Sequence, residues 1–114
     1  MDLITIDNNV AIPSAYTMTI LEFEELVKRD KTKGKNTASK ELAYVYFMED
    51  HRSPFAVYGK DERHGEVLVN IFGPDLQWTA DAKVKAACDV YRGLIETSAV
   101  RLLKAARESV RKLQ

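Results

Sequence analysis

The sequence predicts a mostly α fold: a small helical domain with a long C-terminal helix and an extended N-terminal arm or short strand. Three observations point there. Val84, Ala87, Tyr91, Leu94, Ile95, Leu102, Ala106, Val110 and Leu113 recur at steps of three and four, the period of an amphipathic helix. Ile20, Phe23, Leu26 and Val27 repeat that spacing behind Thr19 and Glu22, which stand at capping-box distance. The first sixteen residues lack this period and hold a β-prone run, a turn signal and a proline. Residues 1–16 are therefore expected as an extended arm and 17–114 as a single helical domain.

In the arm, LITI at 3–6 favours a strand, Asp7-Asn8-Asn9 favours a turn, and Pro13 biases Ile12 toward extended backbone. A strand this short is not stable alone. It is either a loose arm or a strand that adds to something else. The first helix is expected over 19–30. Glu22, Glu24 and Glu25 fall early and Lys28 and Arg29 late, which complements the helix dipole.

A lysine-bearing linker, residues 31–36, leads to a second helix over 37–50 that Asn36 or Thr37 can cap. Its AYVYFM segment has strand propensity, but its flanks suit helix and show no strict period of two. As a helix it is apolar around most of its circumference, so it belongs at the domain centre or against a partner. Ser53-Pro54 ends it. A third helix over 62–72 carries Val67, Leu68, Ile71 and Phe72 and stops at Gly73-Pro74; a strand is the second reading of EVLVNIF. The last helix starts near Thr79, with that residue or a neighbour as cap. Unbroken, it would hold about 35 residues and span roughly 50 Å. Gly93 and Glu96-Thr97-Ser98 mark where it would kink or break.

Composition narrows the function. Seventeen basic and seventeen acidic residues balance, which argues against a uniformly basic nucleic-acid binder and leaves local patches open. No apolar run reaches membrane-span length, and MDLITIDNN lacks the basic start of a secretion signal. One cysteine and two histidines exclude an internal disulfide and give no structural metal spacing. A reducing cytoplasm, no metal and no cofactor are the expectation.

Two charged clusters invite chemistry. In Asp50-His51-Arg52 a histidine between an acid and a base could move protons, yet no nucleophile pairs with it. A helix C-terminus, where a basic side chain meets free carbonyls, is the stronger reading. Asp61-Glu62-Arg63-His64 lacks metal-site spacing and reads as a charged helix entrance with Asp61 as cap. Cys88 reads as a small packing residue. Neither dinucleotide nor phosphate-loop glycine spacing occurs.

Lys28, Arg29, Lys31, Lys33 and Lys35 cluster at the first linker, and Arg101, Lys104, Arg107 and Arg111 form a stripe on the last helix. Such patches suit phosphates or an acidic protein, or simply solvate a helix face. Tyr44, Tyr46, Phe47, Phe55, Tyr58, Phe72 and Trp78 are many aromatics for so small a core. A surplus of this kind means interface; the alternative is that they fill the core.

The phrases EFEELVKRDKTKGKNTASKELAYVYFMEDHRSPF, GKDERHGEVL and SAVRLLKAARESVRKL, covering roughly 22–113, resemble small virion structural proteins of tailed bacteriophages. That group carries an RDK…K linker, an aromatic K-E-[LF]-A-Y-[IV]-Y-F helix ending in D-x-[RK]-S-P-[FY], and a closing basic amphipathic helix. The resemblance implies a non-enzymatic, many-copy component of the particle, made in the host bacterial cytoplasm. It would sit at the head-to-tail connector, neck or portal, or else decorate the capsid. Partners would be portal, connector or capsid subunits and further copies of the chain, with no membrane. Tyr44, Tyr46, Phe47, Arg52, Pro54 and Phe55 are the interface candidates. Members carry a proline near the position of Thr97-Ser98 that is absent here, which leaves open whether the last helix is broken. A DNA-binding or packaging accessory using the basic patches is the second expectation. A small enzyme using His51 or His64 is the third.

Overall fold

The computed structural model describes residues 3–8, 10–32, 34, 36–73 and 77–113, with side chains through Thr97 in the last helix. Strands β1 (Ile4–Asp7) and β2 (Val10–Pro13) form an antiparallel hairpin in the register Ile4↔Pro13 to Asp7↔Val10. Asn8, in the connection, takes a φ of 52°, a left-handed conformation that asparagine tolerates and tight hairpins require. Ile4 and Ala11 point inward while Thr5, Val10 and Ile12 point to solvent, as a period of two demands.

The N-terminus is thus neither a loose arm nor a strand added elsewhere. β1 and the turn match the strand and turn expected from sequence, whereas β2 as the partner strand was not expected. Leu3, Ile4 and Ala11 also belong to the buried cluster that the helices share. Thr17 reinforces this, donating from Oγ1 to the Leu3 carbonyl at 2.6 Å. Residues 1–16 are consequently no separate unit where they are described.

A 3-10 turn, Thr17–Thr19, leads into α1 (Leu21–Arg29). Thr19 does not cap this helix as expected. Its hydroxyl donates backward to the Tyr16 carbonyl at 2.6 Å, and Ile20 occupies the cap position with no side-chain bond. α2 (Asn36–Glu49) and α3 (Lys60–Phe72) follow, so both ambiguous segments are helical. A 3-10 turn, Pro54–Val57, lies between them. α3 opens two residues before the expected start, with Gly59 at the cap position and Asp61 inside the first turn. It closes at Gly73, whose φ of 55° suits a glycine after a helix. α4 is assigned over Ala82–Leu113. Asp81 caps it, accepting from the Val84 amide at 3.0 Å.

α2 is the centre of the molecule. The hairpin, α1, α3, α4 and the 3-10 turn at Pro54 all pack on it. Glu41 to Val45, Phe47 and Met48 are all buried, which is how a helix apolar on nearly every side avoids water. Around it sit Phe23 and Leu26 of α1, Val67 of α3, and Val84, Ala87, Cys88 and Tyr91 of α4. Burying each large apolar side chain in such a core contributes about 1.5 to 3 kcal/mol.

The start of α2 is fixed from outside the helix. Asp30, buried just after α1, accepts through Oδ2 from the Ala38 amide at 2.7 Å and through Oδ1 from the amide and hydroxyl of Thr32. One carboxylate therefore shapes the linker and caps α2. Replacing Asp30 with alanine is expected to lower unfolding free energy by about 1 to 2 kcal/mol, as loss of a strong helix cap does. Chemical denaturation measures it.

Candidate functional site

The stretch from Asp50 to Phe55 is a knot of hydrogen bonds. Asp50 follows α2 and is 2% exposed. Its Oδ2 accepts from the Tyr91 hydroxyl of α4 at 2.5 Å, and its Oδ1 accepts from the Arg52 amide at 2.8 Å. The Arg52 guanidinium covers the outer side, donating at 3.1 and 3.2 Å. Burial alone pushes the Asp50 carboxyl up, but the bonds from Arg52 and Tyr91 outweigh it and hold the group below the usual carboxylate range. Next in the chain, Ser53 donates from Oγ to the Phe47 carbonyl and accepts from the Phe55 amide. With Pro54 at the first turn position, this redirects the chain.

Arg63 closes the other side. From the first turns of α3 it donates to four carbonyls, those of Met48, Phe55, Ala56 and Tyr58. The basic side chain that satisfies the C-terminus of α2 is therefore Arg63, and neither His51 nor Arg52 does so. Tyr91 and Arg63 are the two members of the knot that were not expected from the sequence. Tyr91 had a signal, since a hydroxyl on the buried 84-87-88-91 stripe needs a partner. Arg63 had none, because its acceptors are backbone groups that only the fold gathers.

The aromatic interface candidates divide. Tyr44 and Phe47 are buried within the chain, at 6% and 4% exposure, so they are core residues and do not present a free surface. Tyr46 and Phe55 are half-buried, while Arg52 and Pro54 are exposed. Phe47 meets Tyr46 and Phe55 edge-on, and Trp78 stacks on Phe72 and meets Tyr44. The surplus of rings is thus largely absorbed by ring–ring packing. Of this set, Tyr58 remains exposed.

The first basic patch also divides. Lys28 pairs with Glu24 one turn earlier. Arg29 bridges three helices, pairing with Glu41 of α2 and with Asp81, the cap of α4, at 2.7 Å. It is a clamp of the fold and no part of a free patch. Glu41 is buried, its Oε1 has no partner among the described residues, and burial raises its carboxyl above the ordinary value. Lys31 is exposed. Lys33 and Lys35 lie outside the described residues, as do the side chains of Arg101, Lys104, Arg107 and Arg111.

His51 is exposed on a turn, away from the bonds that Asp50 makes. His64 faces inward, with Nδ1 2.8 Å from the Tyr44 hydroxyl. This pair borders a cleft of about 320 Å³ between α3 and α4, floored by Tyr44, Met48 and Ala80 and rimmed by Lys60, Asp61 and Lys85. Cys88 lies in an adjoining recess. Burial pushes its thiol up to about 12, so it stays protonated at neutral pH and is a poor nucleophile. Among the described residues no group of three acids, histidines or cysteines is placed to hold a metal ion. Among them also, no helix is long and apolar enough to cross a membrane.

No family model matches the chain, and no curated protein or solved structure matches it.

Two outcomes follow from the knot. Tyr91→Phe removes a donor from a buried carboxylate and is expected to cost about 1 to 3 kcal/mol in chemical denaturation. Because the folded pKa of Asp50 lies below its unfolded value, its contribution is complete above roughly pH 4 and is lost as pH falls further. Asp50→Asn should therefore flatten the acid limb of the stability profile. The Cys88 thiol should react with iodoacetamide at neutral pH only as fast as the chain unfolds, which mass spectrometry can follow.

Proposed function

We propose that this protein is a non-enzymatic structural component of a tailed-phage virion, acting by protein–protein assembly at the head-to-tail connector, neck or portal. Beside the resemblance in its phrases, one observation carries the reading. In the most chemically suggestive stretch, Asp50 to Phe55, the Asp50 carboxylate and the Ser53 hydroxyl bond to the chain itself, while large apolar side chains face solvent elsewhere. Val10, Ile12, Tyr16, Leu21, Val57, Tyr58 and Val69 are all exposed. Val10 and Ile12 lie side by side on the outer face of the hairpin, and contiguous exposed apolar surface favours contact with other proteins.

In this reading the knot fixes a rigid body and the surfaces around it do the work. A long C-terminal helix, continuing the packed part of α4, would reach neighbouring subunits. The capsid-decorating role uses the same adhesive chemistry and differs only in the neighbour. The DNA-binding alternative would rely on Lys31, Lys33, Lys35 and the stripe from Arg101 to Arg111, because Lys28 and Arg29 have carboxylate partners. The protein would be made in the host cytoplasm and end in the particle.

Particles purified from infected cells test this directly. The expected result is the chain at a fixed copy number per particle by quantitative mass spectrometry, retained after a high-salt wash. Absence from particles would overturn the proposal. Release by salt together with DNA would favour the DNA-binding alternative.

A further inference from the structure

The described surface carries two features that complement each other and lie on opposite flanks of α4. On one flank is α1, tied to α4 by Lys83 with Glu25 at 2.8 Å and by Arg29 with Asp81. At its N-terminus Leu21 is 62% exposed. Its neighbour Glu22 makes no ion pair among the described residues, whereas Glu24 and Glu25 each have one. The feature is an apolar knob beside an unpaired carboxylate.

On the other flank is the cleft between α3 and α4. Lys83 and Lys85 differ by two positions, about 200° around a helix, so Lys83 faces α1 while Lys85 faces the cleft. Tyr44, Met48 and Ala80 give the cleft an apolar floor. Lys60 and Lys85 on its rim are exposed and, among the described residues, neither has an ion pair. The neighbouring cation Arg92 differs, since Glu49 holds it with two bonds at 2.9 and 3.0 Å. The cleft therefore offers an apolar seat beside two ammonium groups that make no direct ion pair among the described residues, with the Asp61 carboxylate also on its rim.

We propose that the α3–α4 cleft receives the N-terminal turn of α1 from a second copy of this chain, with Leu21 on the apolar floor and Glu22 between Lys60 and Lys85. The two faces differ and lie on opposite sides of one helix, so the contact is heterologous. Each copy uses one face on each neighbour, and repetition gives a ring or a filament according to whether the rotation closes. The inference rests on the assembly reading above and adds the surfaces and their polarity. Lys60 is at the first position of α3 and Glu22 in the first turn of α1. Neither they nor Lys85 take part in the knot or the three-helix clamp, so the expected effect of charge reversal at these positions on the fold is small.

Charge exchange tests it. Light scattering would measure mass against concentration for the wild type, Glu22→Lys, the double variant Lys60→Glu/Lys85→Glu, and an equimolar mixture of the two variants. The wild type is expected to associate with rising concentration. Each variant alone should need more than about tenfold higher concentration for the same mass, as like charges then meet. The mixture should recover association, because the ammonium introduced by Glu22→Lys then meets the acidic cleft, and the unaltered Glu22 of the double variant meets the unaltered lysines. Association of both single-sided variants at the wild-type concentration would overturn this contact and leave the assembly reading standing. A wild type that stays monomeric at every concentration would overturn self-association and leave docking on other virion proteins to be tested in particles.

Discussion

A buried carboxylate sets the terms for this fold. Asp50 sits at the end of α2 with almost no solvent contact, and an ionised group there is tolerable only if donors surround it. They come from separate places: the Tyr91 hydroxyl from α4, and the amide and guanidinium of Arg52 from the turn that follows α2. Bringing them together fixes the angle of α4 against α2 and the path of the chain toward α3. Arg63 then satisfies carbonyls at the end of α2 and around the Pro54 turn, so α3 is held by the same arrangement. At the opposite end of α2, Asp30 and the Arg29–Glu41–Asp81 clamp do the equivalent work.

The two ends explain why so apolar a helix can be central in a small chain. The middle of α2, Leu42 to Met48, carries no charged side chain, and apolar packing alone has little directional preference. Charged groups from neighbouring elements supply the direction. Breaking one partner of such a buried set is costly because the remaining charge stays in the core. These residues therefore specify the arrangement even where their net contribution to stability is small.

Helical character was legible because it depends on local period. The 84-87-91 stripe, the Ile20-Phe23-Leu26 spacing and the Gly73 stop are all short-range signals, and each corresponds to a helix or its end. Ends were less legible. Thr19 stood at capping distance, but its hydroxyl found a nearer carbonyl in the 3-10 turn. The real caps, Asp30 for α2 and Asp81 for α4, lie outside the helical period. β2 was missed because Val10–Pro13 contains no run of β-branched residues and gains its strand character from pairing. The site was least legible. Basic residues read as a patch could not be sorted into Arg29, a clamp, and Lys31, a surface charge, without knowing where Glu41 and Asp81 fall. Likewise, Tyr44 and Phe47 looked like surplus aromatic surface only while the three neighbouring helices were unplaced.

If α2 is the core of a single chain, and no face of it waits for a neighbour, its backbone must be protected before any assembly occurs. Hydrogen exchange on the dilute, monomeric protein measures this residue by residue. The account predicts that amides from Leu42 to Met48 exchange only through global unfolding and are among the slowest in the chain. Their rates should not change as concentration and association rise. Rapid exchange of these amides in the monomer, slowing only on association, would mean that a partner completes the core and would contradict the account.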